Sequence, residues 1–381
     1  MSINIYYDAE EIKQIVIVGE LAVKEEIMKL LELIKGKQEK VHITFFDANM
    51  LPKDIIKELY DFQKKNCCKI YVLKSYLYSY LYKLGIYCHY IARKFIDSPE
   101  TIGRKLEEIK PLIEEEIAIF LKEVHLQYGY DFTKYQIQSI IRRVKICMIK
   151  ENIKDFRRFK EMVLTNEDLF EELFITFSIN TTEFFRDPEV FQTIREEILP
   201  YLNRFAYIKI WCAGCSTGQE PYSLAIILDE LAMLDKAQIY ATDINPYVIE
   251  EAKNGLYPIH VFEKAMENYK KTRGNKTFAD YVKLRQDYME IDERLKKSIL
   301  FFHHSLVGSG MLNEFQLILC RNVLIYMQND LQKKVLKILY YSLDRGGVLV
   351  LGKSEGILCN EGSDFFYKIK KDSKIFKCKE R

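Results

Sequence analysis

The stretch "IKIWCAGCSTGQEPYSLA", residues 208–225, joins an apolar run to a loop of small residues and then to a helix start. The run up to Cys212 is typical of a buried strand, and Pro221 suits the first turn of a helix. Between them, Gly214 and Gly218 are four positions apart, whereas a dinucleotide site has the spacing Gly-x-Gly-x-x-Gly. The order of strand, glycine loop and helix predicts an α/β domain whose ligand is not a dinucleotide.

The acidic residues around this loop predict the chemistry of the ligand. Glu220 lies at the helix start, where a carboxylate would repel a pyrophosphate but accepts hydrogen bonds from an ammonium group. The next strand, "QIYATD", ends in Asp243, in the position of the acid that binds ribose hydroxyls in doubly wound folds. A nucleoside with an amino-acid ammonium group and no phosphate is S-adenosylmethionine. We expect it as the cofactor, with S-adenosylhomocysteine as its product.

Two cysteines in the same loop raise the question of a metal. Cys212 and Cys215 form a Cys-x-x-Cys pair, but a structural zinc site needs four ligands, usually with a second pair at matching spacing. No such pair follows, and His303 and His304 are adjacent and far downstream. We therefore expect two small buried thiols and no metal.

Composition limits the class of protein. The 381 residues exceed one ordinary domain, and 48% hydrophobic with 29% charged residues is typical of a globular protein in water. No apolar run approaches the ~18 residues of a membrane span, and the N-terminus lacks the pattern of a signal peptide. Nine cysteines without framework spacing indicate reduced thiols. These features predict a cytoplasmic protein without membrane insertion.

The charge is nearly balanced, with one local exception. A net charge of +2 argues against nucleic acid as a partner, because nucleic-acid-binding domains are usually strongly basic. Residues 142–160, however, carry eight Lys or Arg against Glu151 and Asp155. This segment is either a solvated helix face or a docking surface for an acidic partner.

Residues 1–97 predict a small α/β domain. The strands "QIVIVGE", "VHITFFD" and "KIYVLKS" alternate with the amphipathic helices "VKEEIMKLLELIKG" and "PKDIIKELYDFQKKN", which implies a parallel sheet. We find no catalytic constellation here, and Asp47 is interpreted as part of a helix-capping turn. The layout and the stretch "FFDANMLP" resemble the STAS family of regulatory interaction domains.

The rest of the chain divides into two further segments. Residues 98–195 predict an all-helical subdomain, which opens with Ser98 as a cap and Pro99 in the first helical turn. From 196 to 381 strands and helices alternate again, which predicts a second α/β domain.

Two polar clusters lie close to predicted element ends. "FSINTTEFFRDPEVF", residues 177–191, contains Asn180, Thr182 and Arg186 ahead of a helix start at Asp187-Pro188. "FQLILCRNVLIYM", residues 315–327, is a buried strand with Arg321 and Asn322 at its carboxyl end, where open α/β sheets bind ligands. Polar residues beside an apolar strand are costly unless they are satisfied, so we expect a site at this end.

Five stretches together resemble the CheR-type chemoreceptor glutamate methyltransferases. They occur in family order within roughly residues 105–381: "NTTEFFRDPEVF", "IWCAGCSTGQEPYSLA", "ATDINPYVIEEAKNGLYP", "LCRNVLIYM" and "GVLVLGKSEGI". The resemblance implies a Rossmann-like S-adenosylmethionine-dependent methyltransferase domain, preceded by the helical subdomain and carrying a β-subdomain insertion at about 258–300. It also implies formation of glutamate 5-O-methyl esters on the cytoplasmic helical domains of transmembrane chemoreceptors, by a monomer recruited to receptor arrays during chemotaxis adaptation.

The resemblance also implies roles for individual residues. Glu220 would meet the methionine ammonium group and Asp243 the ribose, while Tyr326 would lie near the transferring methyl group. Ser305-Leu306 stands where the family has Asn-Leu, so the role of this pair is open. The implied catalytic residues are Arg186 and Tyr326, and the implied cofactor-binding residues are Asn180, Thr182, Arg186, Gly214, Glu220, Asp243, Ser305, Leu306, Arg321 and Asn322.

Some alternatives remain open at the level of sequence. Arg186 would hold either the acceptor carboxylate or the methionyl carboxylate of the cofactor. The protein could be a cofactor-binding signalling adaptor, or a methyltransferase for another protein or for nucleic acid. Nucleic-acid N-methyltransferases typically carry an Asn/Asp-Pro-Pro-aromatic tetrad after the strand that here reads "ILCRNVLIY", and the tetrad is absent.

Overall fold

The structure is a computed structural model. It describes residues 2–7, 13–18, 41–45, 51–65, 68–72, 81, 84, 86, 88–90, 106, 109–177, 182–284, 288–308, 310–357, 365–370 and 373–379. The chain forms two compact units, residues 1–112 together with 143–176, and residues 113–142 together with 177–381. The division at 97/98 and 195/196 remains a prediction.

The first unit contains a five-stranded sheet. Its strands are β1 (Ser2–Tyr7), β2 (Lys13–Val18), β3 (Val41–Phe45), β4 (Cys68–Val72) and β5 (His89–Tyr90). The order is β1-β2-β3-β4-β5, and β2 to β5 are parallel, as the alternation of strands and helices predicts. The sequence analysis did not predict β1, which adds an antiparallel edge to β2.

One helix of this α/β region is described, α1 (Lys53–Lys65), and it buries Ile55 and Leu59 in the same apolar cluster as Ile15, Ile43 and Ile70. The apolar side of α1 thus covers one face of the sheet, as helices beside parallel sheets usually do. The helix predicted at 23–36 and the turn at Asp47 lie outside the described residues.

Four helices follow the first sheet along the chain. They are α2 (Glu114–Tyr128), α3 (Ile137–Lys150), α4 (Phe156–Thr165) and α5 (Glu167–Phe177). Residues 109–113, just before α2 and within the segment predicted to be all-helical, are not helical. Pro111 explains this, because a proline disfavours helical backbone at the residue before it and cannot donate an amide hydrogen bond. Ser98 and Pro99 themselves lie outside the described residues.

The second unit contains the remaining strands and helices. The strands are β6 (Ile208–Ala213), β7 (Ala237–Asp243), β8 (Leu256–Pro258), β9 (Val282–Leu284), β10 (Tyr288–Ile291), β11 (Ile299–His303), β12 (Phe315–Cys320), β13 (Leu343–Leu351), β14 (Phe366–Lys368) and β15 (Ile375–Cys378). The helices are α6 (Pro188–Thr193), α7 (Leu199–Leu202), α8 (Gln219–Glu230), α9 (Pro246–Asn254), α10 (Phe262–Lys271), α11 (Glu293–Lys297) and α12 (Asn329–Ser342). A π-helical turn, Ile194–Ile198, joins α6 to α7.

A seven-stranded sheet organises this unit, in the order β11-β7-β6-β12-β13-β15-β14. The first five strands in that order are parallel, and β15 and β14 are antiparallel additions at one edge. The chain moves outward in one direction from β6 to β7 and β11, and in the other direction from β12 to β13. The order of strands therefore reverses between β6 and β12, and ligands of doubly wound sheets bind at the carboxyl ends of the strands beside such a reversal.

A second, smaller sheet lies in the same unit. Its three strands are antiparallel, in the order β8-β10-β9, and they fall mostly within the segment where the sequence analysis expects an insertion. No described helix of the protein is both long enough and apolar enough to span a bilayer.

Candidate active site

The glycine loop after β6 has the backbone that its glycines permit. Gly214 and Gly218 have φ values of +79° and +94°, in the left-handed region that side chains disfavour. A Cβ on Gly214 would stand 2.4 Å from Cγ2 of Val323, and one on Gly218 would stand 2.9 Å from Cβ of Ala252. The loop therefore lies directly against the segment after β12 and against α9, with no room for larger residues at these two positions.

Asp243, the last residue of β7, holds this loop in place. Its Oδ2 accepts a hydrogen bond from the N–H of Ser216 (2.9 Å), and its Oδ1 accepts one from the N–H of Asn245 (3.0 Å). The N–H of Gly214 donates to the carbonyl of Thr242 beside it (2.8 Å). Burial raises the pKa of the Asp243 carboxyl, and the N–H donors of Asn245 and Ser216 oppose that rise. The acid expected at the ribose thus also fixes the shape of the glycine loop.

Arg321 connects three segments from the carboxyl edge of the sheet. Its side chain is only 1% exposed, and it donates to Glu220 Oε2 (2.8 Å), to Asp187 Oδ2 (2.7 Å) and to the carbonyl of Arg186 (2.8 Å). Burial raises the pKa of the Glu220 carboxyl, and the nearby charge of Arg321 opposes the rise. A buried guanidinium between two carboxylates satisfies the charges that the fold places here. The sequence analysis expected Arg321 in the pocket but not this pairing with Glu220.

Arg186 lies on a strained turn. Phe185 and Asp187, its two neighbours, have φ values of +51° and +56°, which non-glycine residues rarely adopt. The turn is held because the N–H of Phe185 donates to Ser223 Oγ (2.9 Å) and because Asp187 binds Arg321. Asp187 precedes α6, as predicted, but its side chain does not cap that helix. Tertiary contacts thus fix the backbone that presents Arg186.

The segment that carries Tyr326 is held from a second side by residues between α2 and α3. The N–H of Gln136 donates to the carbonyl of Tyr326 (2.8 Å), and the N–H of Gln328 donates to the carbonyl of Lys134 (2.9 Å). The side chain of Gln136 adds a bond from Nε2 to the carbonyl of Met327 (2.9 Å). These backbone bonds, which resemble those between paired strands, fix the position of the Tyr326 backbone.

A pocket opens where these segments meet, and it contains most of the predicted residues. Seven of its lining residues are those that the sequence analysis singled out: Thr182, Arg186, Gly214, Glu220, Arg321, Asn322 and Tyr326. The other three are Glu183 and Ser216, which lie inside the quoted motifs but were not predicted, and Cys215, which was interpreted only as a buried thiol. Asn180 lies outside the described residues.

Three predicted cofactor residues do not line this pocket. Asp243 stands behind Ser216, to which it is hydrogen-bonded. Ser305 Oγ accepts from the N–H groups of Val307 and Gly308 (3.3 Å each), which makes it a turn residue, and Leu306 is 9% exposed within the core. Ser305 and Leu306 follow β11, whose last residue is in register with Asp243 on β7. The pair therefore lies close to Asp243 along the edge of the sheet.

The groups around the pocket fit the expected cofactor. Two carboxylates, Glu220 and Asp243, suit an ammonium group and a ribose diol and would repel a phosphate. Ser216 Oγ is buried at the pocket and has no hydrogen-bond partner among the described residues, so it offers a further polar contact. Burial raises the pKa of the Cys212 and Cys215 thiols, which keeps both protonated at neutral pH. Within the described part of the chain, no cluster of three potential metal ligands is present.

Comparison with known families identifies the family of the chain. The family model described as the CheR methyltransferase SAM-binding domain matches residues 180–375, and that of the CheR methyltransferase all-alpha domain matches residues 115–178. The chain belongs to the CheR methyltransferase family. Its fold is therefore an all-alpha domain followed by a Rossmann-like methyltransferase domain that binds S-adenosylmethionine, and these predictions are confirmed.

Relatives within the CheR family extend over most of the matched region. Cher3 of Pseudomonas putida, which is named as a methyltransferase, is 37% identical over 262 residues that cover 69% of this chain and 96% of Cher3. A chemotaxis protein methyltransferase of Listeria monocytogenes is 30% identical and covers 65% of this chain and 92% of its own length. One of Borreliella burgdorferi is 29% identical over 67% of this chain and 92% of its own. The likeness of residues 1–97 to STAS domains stays a prediction.

Proposed function

We propose that this CheR-family methyltransferase transfers a methyl group to glutamate side chains of chemoreceptors and so forms glutamate 5-O-methyl esters. The names of its relatives from Listeria and Borreliella support a role in chemotaxis. The observation that carries the acceptor class is Arg186 in the wall of the pocket, which Tyr326 also lines. A cation there suits an acceptor that is itself a carboxylate.

The pairing of Glu220 with Arg321 determines which carboxylate oxygen is left for the cofactor. Oε2 of Glu220 is bonded to Arg321, and no described group donates to Oε1, so Oε1 is the oxygen that would accept from the methionine ammonium group. Asp243 would bind the ribose hydroxyls while keeping its bond to Ser216. When bound, S-adenosylmethionine supplies a sulfonium methyl group, which a carboxylate oxygen can take while the sulfur keeps the electron pair of the broken S–C bond.

The residues of this chain contribute mainly orientation. An ionised glutamate has no proton to lose, so the acceptor needs no general base. Holding it in line with the methyl group, away from water, is where the protein can lower the barrier, by up to ~7–11 kcal/mol for well-oriented reactants. We assign the acceptor to Arg186, which lines the pocket between two residues of positive φ, Phe185 and Asp187.

Transfer of radiolabel tests the reaction directly. The protein is incubated with S-adenosylmethionine labelled in the methyl group and with membranes that contain candidate chemoreceptors. We expect label on receptor protein that mild base releases as methanol, because carboxyl esters are base-labile. Label that enters nucleic acid would overturn the proposal, and tight cofactor binding without any transfer would identify an adaptor instead.

A variant separates the two roles of Arg186. If it orients the acceptor, Arg186→Ala should lower the methylation rate strongly and lower the affinity for S-adenosylhomocysteine little. Equal losses of rate and affinity would assign Arg186 to the methionyl carboxylate of the cofactor. Arg186→Lys keeps the charge without the two-pronged geometry and should retain part of the rate.

The basic segment 142–160 is proposed as an electrostatic guide for the acidic methylation helices of the receptor. In α4, Arg157 and Arg158 are exposed and are suited to this role. Arg143 instead donates from Nη1 to the carbonyl of Thr176 (2.8 Å), so we assign it to stabilising the fold. The screening length is ~8 Å at physiological salt, so the apparent KM for the receptor should rise as salt is added.

Charge reversal tests the guiding role. The pair Arg157→Glu and Arg158→Glu should raise the KM for the receptor at low salt and leave cofactor binding unchanged. Lys334→Glu with Lys337→Glu, exposed on α12, makes the same change in net charge and is the matched control. Equal effects of both pairs, or no effect of the first across a salt series, would refute a localised guide.

The N-terminal α/β region is proposed to choose the partner or the location at receptor arrays in the cytoplasm. The family models begin at residue 115, so the chemistry is assigned to the chain after this region. A 98–381 fragment should bind S-adenosylhomocysteine and methylate a different range of receptors. A fragment unable to bind the cofactor would show that the boundary at 97/98 is wrong.

A further inference from the structure

The loop after β12 is anchored by a single acidic residue that the family resemblance left without a role. Glu355 is 4% exposed, and its carboxylate accepts hydrogen bonds from five backbone N–H groups. The donors are Asn322 and Gly352 to Oε2 (2.8 and 2.6 Å), and Val323, Leu324 and Ile325 to Oε1 (2.8, 2.7 and 3.3 Å).

The backbone of residues 322–325 is shaped to receive this carboxylate. Asn322 has φ +60°, which turns four successive N–H groups toward one point, the arrangement that forms an anion-binding nest. Leu324–Tyr326 then forms a 3-10 turn. None of the ion pairs among the described residues involves Glu355, so backbone donors are what offset its burial.

Gly352 lets the carboxylate come this close. A Cβ on Gly352 would lie 2.6 Å from Oε2 of Glu355 and 2.8 Å from the backbone N of Asn322. The N–H of Glu355 in turn donates to the carbonyl of Gly352 (2.9 Å) and closes a tight turn after β13. In "GKSE", residues 352–355, the glycine makes room and the glutamate fills the nest.

The loop that Glu355 holds carries three pocket residues. Arg321 begins it and binds Glu220, Asn322 follows, and Tyr326 ends it. The bonds of residues 134–136 to residues 326–328 fix the end of this loop at Tyr326. The nest fixes the other end, at Asn322. We propose that Glu355 is a positioning residue for methyl transfer, which sets the place of Asn322 and Tyr326 relative to the cofactor and the acceptor.

The variant Glu355→Gln tests this proposal. The amide keeps the size of the side chain but turns one acceptor oxygen into an N–H₂ group, which would face N–H donors. We expect the methylation rate to fall on the order of 100-fold, the effect of a displacement of about 1 Å at a reacting centre, with a much smaller change in affinity for S-adenosylhomocysteine. Glu355→Asp keeps both oxygens at a shorter reach and should recover part of the rate.

Glu230→Gln is the matched control. Glu230 is also a buried glutamate, and it pairs with Arg195 and accepts from Tyr269 at the far end of α8. Both variants should lower the thermal midpoint, because both leave buried donors without a charged acceptor. Only Glu355→Gln should lose rate at a temperature where both proteins are folded. Equal rate losses in the two variants, or a wild-type rate in a folded Glu355→Gln or Glu355→Asp, would overturn the proposal.

A measurement that needs no acceptor separates this inference from the proposed function. Only the expected loss of methylation rate rests on that function. Hydrogen exchange of the amides of residues 322–325 should accelerate in Glu355→Gln and stay slow in Glu230→Gln. If wild-type protein methylates no receptor but these amides behave as stated, the proposed function fails and the nest stands. Slow exchange in folded Glu355→Gln would refute the nest itself.

Discussion

The loop after β6 and the loop after β12 border the same pocket, and each is held by a buried carboxylate that accepts backbone N–H groups. Asp243 holds the first through Ser216 and is also the acid expected to bind the ribose. Glu355 holds the second through the nest, in which the backbone N–H of the lining residue Asn322 is one of its donors. The difference predicts that loss of Asp243 weakens cofactor binding, whereas loss of Glu355 slows the transfer.

The largest effect is expected where the two loops are joined, at Arg321. Arg321→Ala would leave Glu220 and Asp187 without their shared cation, and breaking a buried ion pair costs ~3–5 kcal/mol. The free energy of unfolding should fall by about this amount, followed by the fluorescence of Trp211, the chain's single tryptophan. Arg321→Lys reaches fewer acceptors, so its free energy of unfolding should lie between those of the wild type and Arg321→Ala. A fully stable Arg321→Ala protein would show that the pairing contributes nothing.

Removal of the acid on the first loop should act on affinity. Asp243→Asn keeps one carbonyl oxygen but loses the charge, so we expect ~1.5–3 kcal/mol weaker binding of S-adenosylhomocysteine, the range for hydrogen bonds to charged groups. Calorimetry on this variant and on Glu355→Gln gives the two affinities side by side. Similar losses in both would erase the distinction between the loops.

Contact between the two loops is tested at Gly214. Gly214→Ala forces a side chain onto φ +79° and toward Val323, and we expect ~1–3 kcal/mol of destabilisation. Gly346→Ala has a similar φ of +71° but meets nothing closer than 3.1 Å, so it measures the backbone strain alone. Adding Val323→Ala should restore ~1 kcal/mol to the first variant and nothing to the second. Additive effects in the first pair would mean that the loops do not touch.

The last prediction concerns pH and a carboxyl group that has no such N–H donors. No described group donates to the side chain of Glu251 in α9, and burial raises its pKa from 4.5 to about 7. A carboxyl whose pKa is raised by folding favours the folded state below its unfolded pKa, and that contribution is lost as pH rises toward 7. Stability of the wild type relative to Glu251→Gln should therefore fall as pH rises from 4.5 to about 7. A difference that is constant with pH would contradict the shifted pKa.

The sequence located those parts of the site that depend on local order along the chain. Gly214 and Glu220 follow from a strand and the loop after it, and Arg321 follows from a polar pair after an apolar strand. Each prediction needs only the rule that ligands bind at the carboxyl edge of such a sheet. For that reason they could be made without knowing how the sheet closes.

What the sequence could not show depends on distant segments meeting in space. Glu355 lies about thirty residues after the nest it fills, and Gln136 lies far before the Tyr326 carbonyl it binds. The pairing of Arg321 with Glu220 removes part of the charge that the sequence analysis assigned wholly to the cofactor. Ser305 faces its own turn, which the family pattern of Asn-Leu gave no reason to expect. Only the tertiary fold sets these contacts.

A crystal structure of the protein with S-adenosylhomocysteine tests the central claim, that the two loops together form the methyl-transfer site. The account predicts ribose hydroxyls on Asp243, the amino group on Glu220 Oε1 and the homocysteine sulfur directed toward Tyr326, with residues 322–325 still on Glu355. A ligand bound away from the edge between β6 and β12, or one whose sulfur points away from Tyr326 and Arg186, would contradict it.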